Sequence, residues 1–239
     1  MIKYKKIEKK YQNIFKIYFY INIIMDFENI YKSRKIILKM LKLRGYDTTK
    51  YENQNREELM ILFQNRDKKI TTIHDTIDIL CEGENNKVFV KYILTDKTRS
   101  KAIEKYVENY YYEESFLEKE DECIFITKDK VTYKGTLENY INNLYHTDKV
   151  FCQVMWLNSL LYDITLNKLV PKYEILSEEK KQEVIKKYNI DDEKLLPNVL
   201  INDPLAVFYG VKESELVKVS YPSHTNGITI FYRLCVNSS

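Results

Sequence analysis

All four prolines of this 239-residue chain, Pro171, Pro197, Pro204 and Pro222, lie in its last third, and none occurs before them. Proline fixes φ and removes a backbone donor, so it punctuates a chain instead of extending its helices and central strands. The long proline-free stretch can run in regular elements, whereas the ending is crowded with turns. Two of the five glycines also fall within "INDPLAVFYGVKESELVKVSYPSHTNGITIFYRLC", residues 201–235. With 44% hydrophobic residues the chain can bury one large core or two modest ones, and the change in punctuation predicts two.

The formal charge of +3 is unevenly placed. Residues 1–24 carry +5, from six lysines against Glu8, so the remainder is −2 and has no global basic footprint of an autonomous DNA binder. The apolar run from Ile14 to Ile24 is broken by Lys16 and Asn22, too short for a membrane span and without a signal-peptide cleavage pattern. Residues 1–24 are read as an extension, or as a leader upstream of a start at Met25. Cys81, Cys123, Cys152 and Cys235 lack paired C-x-x-C spacing, so neither a zinc site nor a disulfide framework is expected. They read as small core residues in a reducing compartment. No cofactor and no membrane partner is indicated.

From Phe27 onward, Ile30, Ile37 and Leu41 follow a helical period, with Lys32, Lys35, Lys39 and Lys42 turned away. Leu59, Leu62 and Phe63 stripe a second helix. "TIHDTIDILC" and "KVFVKYIL" read as a hairpin, "ECIFIT" and "VFCQVMW" as strands, and "SKAIEKYVENYYYEESF" and "TLENYINNLY" as helices, giving an α/β domain to about residue 163. Beyond it, "LNKLVPKYEIL" is an extended connector. Ser177 caps a helix whose buried side is expected from Val184, Ile185 and Tyr188. "DDEKLLPNVL" is a short helical turn. Asp203, Pro204 and Gly210 are the cap, first position and stop of another helix. "ELVKVSY" and "ITIFYRLC" are strands, the second placing Ile228, Ile230, Tyr232 and Leu234 on one face. This mixed sheet is expected to carry one helical layer, leaving its other face or edge to a partner.

Catalysis finds no team of residues. A metal-dependent nuclease could draw on Asp75, Asp78 and Glu82, but it also needs an acid two residues before a strand lysine, and Lys91 has Phe89 there. His74, His146 and His224 have no ligand spacing, and no phosphate loop or nucleophile elbow occurs. A stand-alone nuclease of restriction-endonuclease-like fold is the alternative class, and a free adaptor reusing the late domain is a third.

The ending resembles the fifth subunit of eukaryotic RNA polymerases and its shorter archaeal counterpart. The resemblance is carried by "LVP" at 169–171, "DP" at 203–204, "YGVK" at 209–212, "VKV" at 217–219, "PS" at 222–223 and "YRL" at 232–234. "YKSRKIILKMLKLRGY" at 31–46 is similar to the family's opening helix. Departures are Asn167 and Tyr173 for two histidines, Ser214 for a glycine and Tyr221 for an arginine. Together with usage typical of an AT-rich genome, they suggest a divergent lineage, expected to be viral rather than a protist's.

The resemblance implies an α+β protein in three parts: the extension 1–24, a restriction-endonuclease-like jaw at 25–163, and a small assembly domain at 164–239. It implies a noncatalytic subunit whose assembly domain docks on the largest polymerase subunit, with the rest of the core as further partner and downstream duplex DNA held weakly beside the jaw. The location would be intracellular, in host cytoplasm or virion for a virus and in the nucleus for a eukaryote. The expected interface residues are Asp203, Pro204, Tyr209, Gly210, Val211, Pro222, Ser223, Tyr232 and Arg233. Pro204 and Gly210 read equally as plain helix signals, and Arg233 as a solvated residue. Lys32, Arg34 and Lys35 are read first as the polar face of a helix, with DNA contact as the other reading.

Overall fold

The computed structural model describes residues 25–65, 76–95, 98–130, 135–223 and 227–237. The leader expectation, and those for His74, Asp75 and His224, lie outside the described residues. The chain divides into two compact units, with the boundary between Tyr162 and Asp163.

The first unit is a three-layer sandwich. Helix α1 covers residues 25–43 and buries Ile30, Ile37, Met40 and Leu41 completely, while Lys32, Lys35 and Lys42 are exposed. After the short α2 (Thr49–Glu52), α3 (Arg56–Asn65) buries Leu59 and Phe63, whose ring lies 5.7 Å from Phe27. The sheet has the order β1-β2-β3-β4. Strands β1 (Ile79–Glu82) and β2 (Lys87–Ile93) are antiparallel, and β3 (Glu122–Thr127) and β4 (Phe151–Trp156) continue in parallel. Every residue of β3 is buried, as a central strand covered on both faces requires.

One face of this sheet, with Phe89, Ile93, Cys123, Phe125 and Cys152, packs on α4 (Ser100–Glu108) and α5 (Thr136–Asp148) through Ile103, Val107, Leu137 and Ile141. Helix α4 runs into a π turn at Asn109–Glu113 that buries Tyr111. α1 lies on the opposite face, where the Ser33 and Tyr92 hydroxyls meet at 3.4 Å and Arg44 donates to Gln153 at 2.8 Å. The free edge of β1 is closed by side chains and a loop. The Tyr51 hydroxyl accepts from Leu80 N–H at 3.0 Å and donates to Leu80 C=O at 3.1 Å, while Asp47 N–H reaches Glu82 C=O at 2.8 Å.

The second unit is built on a mixed sheet of order β5-β7-β8-β6. Its strands are β5 (Lys172–Ile175), β6 (Asn198–Leu200), β7 (Leu216–Ser223) and β8 (Gly227–Val236). The segment read only as an extended connector supplies β5, and the residues after the 3-10 turn Glu193–Leu195 supply β6. The expected single helical layer is corrected. α6 (Glu178–Lys187) covers one face through Val184 over Leu216 and Leu234, and α7 (Pro204–Tyr209) covers the other through Ala206 over Val217, Val219 and Cys235.

One side chain of the α6 region is also corrected. Tyr188 is exposed, and the buried partner of Val184 is Lys181. The Lys181 ammonium reaches Glu193 at 2.7 Å and the Ser214 carbonyl at 3.2 Å, so the stem packs inside while the charge is paired.

Candidate functional site

Strands β7 and β8 outrun the sheet that supports them. They pair from Leu216↔Leu234 to Ser223↔Gly227, but β5 flanks β7 only from Val217 to Ser220, and β6 flanks β8 only from Leu234 to Val236. The far end is therefore a two-stranded ribbon, a structure of marginal stability by itself in water. The stretch of β8 that β6 leaves unpaired is nevertheless apolar on both faces. Ile228 and Ile230 are 65% and 47% exposed on the face that continues to Tyr232 and Leu234, and Phe231 is 50% exposed on the other. The Phe231 ring meets Tyr221 edge-on at 5.7 Å.

The turns at the other end of the sheet are set by residue type. Asp203 Oδ1 accepts from Leu205 N–H at 2.9 Å and Ala206 N–H at 3.4 Å, Pro204 takes the first helical position, and Gly210 stops α7 at φ 71°. The left-handed backbone lets Val211 N–H return to Ala206 C=O at 2.9 Å and sends the Val211 side chain into the core. Gly210 and Val211 are buried, so they shape the surface and do not form it. Pro222 is exposed and Ser223 half-buried on the ribbon, with Tyr232 half-buried near its base.

Tyr209 stacks on Tyr173, with centroids 5.7 Å apart and planes at 26°. Burial pushes the Tyr173 hydroxyl up to about 12; the charges of Asp203 and Tyr221 add to this and Arg233 opposes it. Arg233 donates to the Asn198 carbonyl at 3.0 Å, tying edge strand β6 to β8. That is a third role beside the two read from sequence. The alternation in β8 puts Ile230 on one face, but the exposure of Ile230 and Phe231 depends on where β6 stops, which no local signal gives.

In the first unit, the position that a nuclease would give to a metal-binding acid is filled by an aromatic ring. Phe89 is buried, with Tyr110 at 5.3 Å and Phe116 at 5.4 Å, both edge-on. Lys91 is bound to Asp78 at 2.6 Å, and Glu82 is exposed at the end of β1. Among the described residues no group of acids, histidines and cysteines is arranged to hold a metal, and no helix is long and apolar enough to cross a membrane. Arg34 fits neither of its sequence readings. It is 4% exposed, donates to Ile77 C=O at 2.5 Å and Gln54 at 2.7 Å, and lies over the Tyr51 ring at 5.2 Å.

Comparison with known proteins agrees with this architecture. Residues 162–235 match the family model described as RNA polymerase Rpb5, C-terminal domain. The DNA-directed RNA polymerase subunit Rpo5 of Thermococcus onnurineus is 39% identical over 75 residues, which span 90% of that protein and 31% of this chain. The chain belongs to the subunit 5 family of DNA-directed RNA polymerases. Relatives of eukaryotic length extend the likeness across both units. The rpabc1 subunit of DNA-directed RNA polymerases I, II and III of Dictyostelium discoideum is 29% identical over 213 residues, covering 88% of this chain and 99% of that one. The DNA-directed RNA polymerase subunit 5-like protein 1 of Arabidopsis thaliana is 27% identical over 215 residues, 88% of this chain and 97% of its own length.

As a subunit 5 protein, the chain is a noncatalytic part of the polymerase, with the α+β fold expected from the resemblance. The nuclease alternative has no support among these relatives. Two of the family departures have structural counterparts. Tyr173, where the resemblance leads one to expect a histidine, stacks on Tyr209, and Tyr221, where it leads one to expect an arginine, meets Phe231.

Proposed function

We propose that the second unit, residues 164–239, is the assembly domain and docks on the largest polymerase subunit, while the first, residues 25–163, lies as a jaw beside downstream duplex DNA. The ribbon carries the docking half of this reading. Its exposed Ile228, Ile230 and Phe231 lie where, among the described residues, β8 has no strand on its outer edge, β6 reaching only as far as Leu234, and they combine an apolar surface with a backbone edge, the two elements that strand-mediated recognition uses. Asp203, Pro204 and Gly210 contribute by fixing the turns of the same domain, and Tyr209, Pro222, Ser223, Tyr232 and Arg233 border the proposed surface. The DNA half is supported by family membership and needs no catalytic group.

Replacing Ile230 and Phe231 together by Asp tests the docking half. Both side chains are about half exposed, so the melting temperature of the isolated chain should hold while recovery with the two largest polymerase subunits falls about tenfold or more, the effect of losing an anchor residue. Wild-type recovery of the double variant would overturn the assignment.

A further inference from the structure

We infer that the exposed face of α1 is the surface through which the first unit meets the phosphate backbone of duplex DNA. The inference rests on the proposal that this unit lies beside downstream DNA. It names the contact surface, which the family relationship does not.

After Asp26 and Glu28 in its first turn, charge along α1 is of one sign. Residues 29–46, "NIYKSRKIILKMLKLRGY", contain six basic residues and no acid. Burial divides them. Arg34 is inside, holding Ile77 C=O and Gln54, whereas Lys32, Lys35, Lys39 and Lys42 recur at steps of three and four and share one face of the helix. From Lys32 to Lys42 the helix rises about 15 Å. Over that axial distance one strand of B-DNA carries about four phosphates.

The platform beneath this stripe is rigid. Ile30, Ile37, Met40 and Leu41 on the underside are fully buried, and Ser33 bonds to Tyr92. The lysines are therefore presented in fixed order along a straight element. Lys35 lies over the Tyr31 ring at 4.5 Å, and the exposed Lys42 pairs with Glu52 at 2.9 Å, a contact that a phosphate can replace at little cost.

The opposite layer of the sandwich repels a polyanion. Glu104, Glu108, Glu113, Glu114, Glu118 and Glu120 outnumber Lys101, Lys105 and Lys119 along α4, its π turn and the connection to β3, on the far side of the sheet from α1. The unit is thus electrically two-sided, and the field directs duplex toward α1. A lipid surface fits less well, because the apolar face of α1 is committed to the core and, of its large apolar residues, only Met25 and Leu43, at its two ends, are exposed.

The test uses polymerase assembled with the full chain and a template whose downstream duplex carries photoreactive nucleotides. Crosslinking to this subunit and the salt dependence of template affinity are read for wild type, for Lys32→Gln/Lys35→Gln/Lys39→Gln, and for a control with the same charge change, Lys186→Gln/Lys187→Gln/Lys194→Gln. The stripe variant should lose the crosslink, and its log–log salt slope should be shallower by about two to three, at about 0.9 per phosphate contact. The control should match wild type in both. Crosslinks and slope unchanged in the stripe variant would overturn the inference and leave the jaw beside DNA, including the case in which that variant instead loses an acidic protein partner. No crosslink from any downstream position in wild type would overturn both.

Discussion

The buried carboxylate of Asp78 is held from two directions by neighbouring residues of β2: Lys91 Nζ lies 2.6 Å from Oδ2, and the Tyr92 backbone N–H donates to Oδ1 at 3.0 Å. An acid and a lysine that a nuclease would use on metal and water are here spent on each other. Asp78→Ala leaves a largely buried ammonium and a backbone donor without their acceptor, and should cost the first unit about 3 kcal/mol in denaturant unfolding. Neither protein should cleave DNA in magnesium or manganese. Cleavage by wild type that Asp78→Ala abolishes would contradict the structural role.

Ser214 stands where the family resemblance calls for glycine, and it still adopts the backbone that glycine favours, at φ 68°. Its N–H bonds Cys235 C=O at 2.9 Å and its carbonyl receives Lys181, so the turn is kept and the strain is local. Ser214→Gly should stabilise the second unit by about 0.5 kcal/mol, the relief of a left-handed Cβ partly offset by the larger entropy of an unfolded glycine. A melting temperature lower than wild type would mean that the serine side chain has a role of its own.

Gly210 presents the opposite case, because it is buried as well as left-handed at φ 71°. Gly210→Val should cost more than about 1 kcal/mol and lower the melting temperature of the second unit by several degrees. Polymerase incorporation should drop with it. The unfolding of the first unit should not change, which fragment-resolved hydrogen exchange can read.

The cysteines predict alkaline behaviour. Burial pushes the Cys81 thiol from its usual value near 9 up to about 11, and those of Cys152 and Cys235 up to about 12. Because the folded values are raised, this contribution to stability is complete below about pH 9 and drains away as pH climbs toward 11 to 12, where the unfolded chain has already released its protons. Urea midpoints should therefore fall between about pH 8 and about pH 10.5. At about pH 8, iodoacetamide should label the folded chain far more slowly than the urea-unfolded one, and rapid labelling of the native protein would refute the core assignment.

Local signals were legible in the sequence. "ECIFIT" gives β3 residue for residue, and the caps at Ser177 and Asp203 form the hydrogen bonds that their side chains suggest. Strands β5 and β6 were not, since four and three residues say little until β7 and β8 are present to pair with them. Arg34 reads as a surface cation, and nothing local marks Lys181 as buried, because burial of a charge depends on distant partners: Ile77 and Gln54 for the arginine, Glu193 and Ser214 for the lysine. The turn residues of the proposed docking surface were visible by type. Its exposed apolar ribbon was not, because exposure is decided by where β5 and β6 stop.

A polymerase subunit is translated apart from the assembly it joins and spends time as an orphan. The Tyr51 hydroxyl matters during that interval. By occupying both the N–H and the C=O that Leu80 turns outward, it removes the template on which a stray strand of another copy could crystallise into a shared sheet. One tyrosine thus closes the middle of the β1 edge, whereas the outer edge of β8 beyond β6 keeps its backbone groups open to a partner strand.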